Sequence, residues 1–373
     1  MKKLLVFVLV LALASSAAAQ TSVVKQLDPL RAKARWTPEA FAGARPMPLP
    51  RIDFDASRIL AEPKAAEAQE PFVDHFPSVA AEPTLRGAER YRFRTRIYDL
   101  SPAELRALLE KPEPEALPEP LSKNYGTGGL DYTSSRLIPS EAGEAFPYAP
   151  VGKLFFSIGE ESFVCSGAVI APRLVLTAGH CVHGGPGQGF FDDFTFIPAF
   201  NRGDAPFGTW TATAAFVTPA WAASGGVPHP QDYAFLEIAD QDGTSIGDVT
   251  GRLAFLPDRL ADNHLHLLGY PGNLDGGQEM HQITTGDFFA FNDGTVVYGS
   301  DMTGGSSGGP WVQNFNRKAS GQGGGQNRAR AAVVAVTSYG FTNAAIRAQG
   351  GSEFQREFRV LRQDACFNQP GNC

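Results

Sequence analysis

The stretch that decides the fold is Gly304-Gly305-Ser306-Ser307-Gly308-Gly309-Pro310. Upstream of it the sequence contains Leu176-Thr177-Ala178-Gly179-His180-Cys181 and Gln231-Asp232-Tyr233-Ala234. A serine hydroxyl is a poor nucleophile at neutral pH, so it needs an imidazole that takes its proton and a carboxylate that orients the imidazole. The three stretches supply these groups in the order histidine, aspartate, serine.

Two other orders of the catalytic residues along the chain fit the sequence less well. The glycine-rich stretch also fits G-x-S-x-G at Gly305, Ser307 and Gly309, the signature of the nucleophile turn in α/β-hydrolases. In those enzymes the histidine follows the serine, whereas all 7 histidines here precede Ser307. An order of aspartate, histidine, serine would need an acid before His180, and the upstream aspartates lie in Pro-rich, charged sequence.

The composition indicates a globular, β-rich chain. Of 373 residues 43% are apolar, which supports a sizeable core, and 40 glycines with 28 prolines are typical of short strands joined by turns. The formal net charge of -7 is modest, so we expect no nucleic-acid partner. The 4 cysteines show no spacing typical of zinc ligands, and we expect no metal-ligating residues and no cofactor, while calcium binding stays open.

Residues 1–19 predict a secretory signal peptide. Lys2 and Lys3 precede an apolar run, and small residues end at Ala19, where cleavage is expected. The apolar run is about half the roughly 20 residues that span a membrane. We therefore expect a secreted protein, extracellular or periplasmic, without stable membrane association. In such an oxidising compartment four cysteines favour two disulfides.

Residues 20–136 predict a pro-segment with a linker. The stretch is rich in proline and charge, and its clear helix signal is a capping box formed by Ser101 and Glu104. The glycine-rich residues 124–129 are typical of an exposed linker. We expect this segment to block the active site or assist folding, and to be cut near residues 135–137.

Residues 137–373 predict an all-β domain of two six-stranded antiparallel β-barrels with a short C-terminal helix. Short apolar runs separated by turns fit a pair of barrels with a cleft between them better than alternating strands and helices. The runs are 151–158, 163–170, 174–177, 207–217, 233–238, 265–269, 282–291, 295–298, 310–312 and 331–338. Residues 353–363, with Phe354 and Phe358 among charges, predict a helix that packs against the second barrel.

The region from Cys165-Ser166-Gly167-Ala168 to His180-Cys181 resembles the histidine region of trypsin-like (chymotrypsin-fold) serine peptidases. The resemblance implies a disulfide between Cys165 and Cys181, which would stabilise the fold by about 3 kcal/mol and fix the direction of His180. Cys366 and Cys373 remain, and a small C-terminal loop is their simplest pairing.

The same resemblance implies three catalytic roles. His180 would act as general base and acid, Asp232 as its orienting acid and Ser307 as the nucleophile. Ser307 is chosen over Ser306 because the family pattern G-x-S-G-G-P fits only in that register. The backbone N–H groups of Gly305 and Ser307 would form the oxyanion hole. Ser306 replaces the aspartate that pairs with a new N-terminus in the animal enzymes, so that switch is absent.

The run ending in Ser338-Tyr339-Gly340 resembles the edge strand that binds the substrate backbone. The candidate substrate-binding residues are Asp301, Met302, Thr337, Ser338, Tyr339 and Gly340. Asp301 stands where the trypsin branch selects Lys or Arg. However, residues 268–272 resemble the bacterial glutamyl-endopeptidase-like branch, in which a histidine at the position of Thr337 helps to bind glutamate. The preferred cleavage residue therefore stays open.

These observations predict a secreted serine endopeptidase, made as a precursor, that acts on polypeptides as a monomer. Two alternatives stay open: a catalytically silent trypsin-like binding module, and an esterase that uses the same triad. Silent members usually lose a triad residue or an oxyanion glycine, and His180, Asp232, Ser307 and Gly305 are all present.

Overall fold

The computed structural model describes residues 21–55, 80–81, 83, 95–101, 103–104, 130–257, 264–291, 294–315 and 330–373. The predicted signal peptide and the 124–129 linker lie outside these residues, as does most of the helix predicted after Ser101. Its capping box is present: the Ser101 N–H donates to Glu104 Oε2 at 2.8 Å, and the Glu104 N–H donates to Ser101 Oγ at 3.2 Å. No helix in the described ranges is long and apolar enough to cross a membrane.

The first barrel is closed. Its sheet consists of β1 (Val23–Gln26), β2 (Arg45–Pro46), β6 (Val151–Ile158), β7 (Glu161–Ala171), β8 (Leu174–Thr177), β9 (Asp192–Pro198), β11 (Trp210–Val217) and β12 (Ala234–Ile238). Six of these strands form a ring in the order β6-β7-β8-β12-β11-β9, and β9 pairs again with β6. The two N-terminal strands add to the outside of the ring, β1 on β11 and β2 on β7.

The second sheet curls but stays open among the described residues. It consists of β3 (Arg51–Ile52), β5 (Tyr132–Arg136), β13 (Ala254–Phe255), β14 (Leu265–Gly269), β15 (His281–Thr285), β16 (Phe288–Ala290), β17 (Thr295–Gly299), β18 (Pro310–Gln313), β19 (Ala332–Phe341) and β20 (Ala348–Ser352). Its path runs β16-β17-β20-β19-β18-β14-β15-β5, and β3 and β13 pair with β19. The predicted all-β fold class is confirmed, with the correction that the second barrel is a curled half-barrel.

A further pair of short strands, β4 (Thr95–Arg96) and β10 (Asp204–Ala205), joins the N-terminal part of the chain to the first barrel. The helices are α1 (Pro29–Arg35), α2 (Pro38–Gly43), α3 (Pro219–Ser224), α4 (Ile246–Thr250) and α5 (Arg356–Asn368). In α1, α2 and α3 a capping side chain precedes a proline in the first turn, where its missing N–H costs nothing.

Residues 21–55 are built into the barrels. Trp36 and Phe41, which flank the start of α2, stack with ring centroids 5.0 Å apart, and both contact Phe155 inside the first barrel. The predicted domain boundary at 136 falls at the end of β5, where Arg136 pairs with His281 of β15. The second sheet therefore begins upstream of residue 137.

The C-terminal helix forms and contacts Phe255 of β13 in the second sheet, as predicted, but it also packs on the first barrel, which was not predicted. Phe358 of α5 lies against Tyr233 and Phe235, with ring centroids 5.3 Å from each, and these residues belong to the β12 region of the first barrel. The reason is that β12 presents an aromatic surface that the helix's own phenylalanines cover. The helix thereby buries the strand that follows Asp232.

Candidate active site

Neighbouring strands bring the predicted base and acid together. His180 lies in the short 3-10 turn that follows β8, and Asp232 lies just before β12, which pairs with β8. The His180 Nδ1–H donates to Asp232 Oδ2 at 2.8 Å, and the His180 backbone N–H donates to Asp232 Oδ1 at 2.8 Å. Because a carboxylate only accepts, the ring proton lies on Nδ1 and Nε2 is left free to accept a proton.

The second sheet completes the surroundings of this carboxylate. Ser338 of β19 donates its hydroxyl to Asp232 Oδ2 at 2.6 Å. Complete burial by itself would raise the pKa of Asp232, but the charge and hydrogen bonds of His180 and the Ser338 hydroxyl hold that pKa below its usual value. Asp232 therefore stays ionised at neutral pH.

Ser307 lies in the loop before β18. Its carbonyl accepts the Ser166 N–H of β7 at 2.7 Å, so the loop is tied to the first barrel. The Ser307 hydroxyl and His180 Nε2 are both buried, and neither makes a hydrogen bond. The nucleophile and base are thus present without the hydrogen bond expected between them, a contact that often tightens only when substrate binds.

The loop before Ser307 needs glycine at position 305. Gly305 has a φ of +93°, and a Cβ there would lie 2.5 Å from the Tyr270 carbonyl oxygen. The carbonyls before and after the Gly305 N–H are both held, that of Gly304 by the Gly272 N–H at 2.7 Å and that of Gly305 by the Ser166 hydroxyl at 2.8 Å. These two bonds fix the direction of the Gly305 N–H.

Neutral groups hold Ser306, where the animal enzymes use an ion pair. The Ser306 hydroxyl donates to the Thr303 carbonyl at 2.7 Å and accepts from the Gln349 amide at 2.9 Å. Gln349 is fully buried in β20 and also donates to the Met302 carbonyl at 3.0 Å. Sequence reasoning missed Ser166 and Gln349, because their role depends on partners 139 and 43 residues away.

The six candidate substrate-binding residues differ in their surroundings. Met302 is packed in the core of the second sheet, the Thr337 hydroxyl accepts from the Trp311 indole, and the Tyr339 hydroxyl bonds Thr295. Asp301 accepts from the Ser134 hydroxyl at 2.9 Å, and burial raises its pKa. Ser338 contacts Asp232, as described above, and Gly340 lies on the side of β19 that pairs with β3.

Both predicted disulfide pairs are present, Cys165–Cys181 and Cys366–Cys373. The first places Sγ atoms beside the His180 ring, in a cluster small enough for a metal ion. A disulfide sulfur is not a thiolate, however, and the thiolate is the form that ligates metals. Within the described ranges this cluster therefore does not fit a metal.

A closed barrel and a curled sheet with histidine, aspartate and serine at their junction define a serine hydrolase domain of the chymotrypsin fold. Residues 165–318 match the family model of the trypsin-like peptidase domain. The chain therefore contains a trypsin-like serine peptidase domain.

Three known proteins are similar to this chain. A glutamyl endopeptidase of Bacillus licheniformis is 25% identical over 219 residues, which cover 59% of this chain and 61% of that protein. A protein of Bacillus subtilis named extracellular metalloprotease is 28% identical over 105 residues, 28% of this chain and 33% of that one. The crystal structure of the thermostable serine protease AL20 from an extremophilic microorganism matches with a TM-score of 0.50 and 30% identity, over 59% of this chain and 98% of that one. The matched parts span less than two thirds of the two curated relatives.

Proposed function

We propose that this chain is a secreted serine endopeptidase, made as a precursor, that cleaves polypeptides through His180, Asp232 and Ser307. The observation that carries the proposal is the pair of hydrogen bonds from His180 to Asp232, in a domain whose loop 304–310 has the glycines of an oxyanion hole. The match to the trypsin-like peptidase domain supports the reaction class.

The chemistry follows from the geometry. His180 Nε2 takes the Ser307 hydroxyl proton as Oγ attacks the peptide carbonyl, and Asp232 stabilises the imidazolium that results. The N–H groups of Gly305 and Ser307 bind the oxyanion. His180 then gives the proton to the leaving amine, which leaves an acyl ester on Ser307. Water attacks this ester with His180 again as base, and Ser307 is regenerated.

An extended backbone fits the edge of β19. In this structure the N–H groups of Gly340 and Thr342 donate to the chain's own residues 50 and 52, and a substrate would take the same N–H groups as an added strand. Substrates are then unfolded chains or loops, not compact domains. Asp301, whose carboxylate accepts the Ser134 hydroxyl at 2.9 Å, is a candidate for binding the side chain of the residue before the cleaved bond.

Secretion and a precursor form complete the proposal. The sequence of residues 1–19 supports export, and two disulfides fit an oxidising compartment. Because β5 belongs to the second sheet, we propose that any activating cut leaves Tyr132–Arg136 in the enzyme. N-terminal sequencing of the secreted protein tests this, since a mature chain that begins after residue 136 would contradict it.

The test of the activity is to digest a denatured protein mixture with the secreted protein and to identify the new termini. We expect cuts in the middle of chains with one preferred residue before the cut, and no cuts with Ser307→Ala. Hydrolysis of short esters without peptide cleavage would indicate the esterase alternative, and no turnover of either would indicate a binding module.

A further inference from the structure

An N-terminal stretch crosses the cleft between the barrels. We call residues 45–54 the cleft segment. Its first two residues pair with β7, Arg45 opposite Phe163, and the Met47 N–H donates to the Val164 carbonyl at 2.9 Å. Its later part pairs with β19, where Ile52 lies opposite Phe341. The segment thus runs from the first barrel to the edge of the second.

Between these two contacts the cleft segment contacts residues 304–310, which we call the oxyanion loop. The Gly305 N–H donates to the Met47 carbonyl oxygen at 3.1 Å. The segment also lies close to the neighbouring glycine, because a Cβ on Gly304 would come within 2.7 Å of the same oxygen. A backbone carbonyl of the chain itself therefore takes the N–H that would bind the oxyanion.

The segment also takes the N–H groups of the β19 edge. The Gly340 N–H donates to the Pro50 carbonyl and the Thr342 N–H to the Ile52 carbonyl, both at 2.9 Å. Leu49 is buried against Gly340 with 7% exposure. The backbone groups at both ends of the proposed substrate path are thus already bonded.

The direction of the segment differs from that of a substrate. The resemblance of Ser338-Tyr339-Gly340 to a substrate-binding strand implies that a substrate would place the residues before its attacked carbonyl along β19. In the cleft segment Met47 supplies the carbonyl at Gly305, but the residues after it, Pro50 to Ile52, lie on the edge, parallel to β19. The residues that follow the bound carbonyl of the segment therefore lie where the residues before the attacked carbonyl of a substrate would lie.

Proline at every second position suits this path. Pro46, Pro48 and Pro50 hold the backbone extended and reduce the entropy lost on binding. They also supply carbonyls without adding N–H groups that would need partners in the cleft. The bond that follows the Met47 carbonyl leads into Pro48, so it is not an ordinary secondary amide.

We propose that the cleft is a binding site for the chain's own proline-rich residues 45–54, which bind in reverse and act as an uncleaved inhibitor of the precursor. This inference rests on the proposed function. The oxyanion loop is already held by Gly272, Ser166 and Gln349, so displacement of the segment is sufficient for activation.

The first test compares peptide hydrolysis by the full chain with that of Leu49→Glu, which places a charge where the segment is buried. We expect activation by about tenfold or more, the effect of losing one buried leucine from a contact. Leu30→Glu is the matched control, because Leu30 is 76% exposed on α1; it should leave the rate unchanged. A correctly folded Leu49→Glu chain with unchanged activity would overturn the proposal.

A second test does not depend on a destabilising variant. A synthetic peptide of residues 44–55 should inhibit the secreted enzyme competitively and remain intact, whereas a scrambled peptide should not inhibit. Cleavage of the peptide, or no inhibition, would overturn the proposal. If neither the secreted protein nor the Leu49→Glu chain hydrolyses any substrate, the proposed function fails instead, so the two failures are distinguishable.

Hydrogen exchange of full-length Ser307→Ala gives the third readout. The amides of Gly305 and Gly340 should be protected in this chain and become exposed when Leu49→Glu is added. Rapid exchange of both amides in the chain with Leu49 would contradict the inference.

Discussion

Asp232 accepts two hydrogen bonds from His180, one from the ring and one from the backbone, each 2.8 Å long. The carboxylate therefore fixes both the position of the His180 peptide and the tautomer of its ring. The third hydrogen bond, from Ser338, comes from the other barrel, so the orientation of the base depends on the packing of the two barrels.

Replacement of Asp232 by asparagine should lower kcat by about 10³- to 10⁴-fold with little change in KM, because an amide favours the wrong imidazole tautomer. Steady-state kinetics on a peptide substrate measure the effect. Asp240→Asn is the control, since Asp240 lies beyond the other end of β12 and pairs with Arg173 at 2.6 Å. A kcat within threefold or so of the unaltered enzyme would show that Asp232 does not orient the base.

Gln349→Met should lower kcat by about tenfold or more, because the oxyanion loop loses its bond to Ser306. A peptide aldehyde, which forms a tetrahedral adduct with the serine, should lose more affinity than a substrate-like peptide. Gln282→Met, on β15, should change neither value. Equal losses of affinity for the aldehyde and the peptide would indicate a general packing defect.

Removal of the Cys165–Cys181 disulfide by double alanine substitution should lower the free energy of unfolding by about 3 kcal/mol and also lower kcat, because Cys181 directly follows His180. The Cys366–Cys373 disulfide joins cysteines at a sequence separation of only 7, and its removal should cost about 2 kcal/mol without changing kcat. Denaturant titrations in the Ser307→Ala background avoid self-digestion. Equal effects of the two removals on kcat would contradict the positioning of His180 by the first disulfide.

Lys153 should make stability increase with pH. Burial lowers its pKa to about 7, whereas in the unfolded chain the pKa is about 10.4. Between these values the unfolded chain binds more protons, so the free energy of unfolding should rise from pH 7 to pH 10. Lys153→Met should flatten this rise, and Lys25→Met, at a surface ion pair, should leave it in place. Parallel pH curves for Lys153→Met and the unaltered chain would contradict the assignment.

Most of the barrel strands were predictable because their apolar runs are continuous, and 151–158, 174–177 and 265–269 have the predicted bounds. Strand β20 was missed because Ala348-Gln349-Gly350-Gly351-Ser352 is typical of a loop. Its glycines have a tertiary cause: the Tyr339 ring lies directly on Gly350, where a Cβ would clash. Only the position of the Tyr339 ring in the folded protein explains why this strand contains glycine.

The N-terminal part carried signals of a different kind. The caps Asp28 and Thr37, each followed by proline, predict the starts of α1 and α2 and could have been recognised. The cleft segment could not, since β3 is two residues long and its partner in β19 lies about 290 positions away. Local sequence does not encode which distant edge such a short strand joins.

The central claim is that Ser307 is the nucleophile. The most direct test is to treat the secreted protein with a fluorophosphonate and to locate the adduct by mass spectrometry of its peptides. We predict one adduct, on Ser307, that forms in the unaltered protein and in Ser306→Ala and is lost in Ser307→Ala. An adduct on another residue, or none on an enzyme that cleaves peptides, would contradict the account.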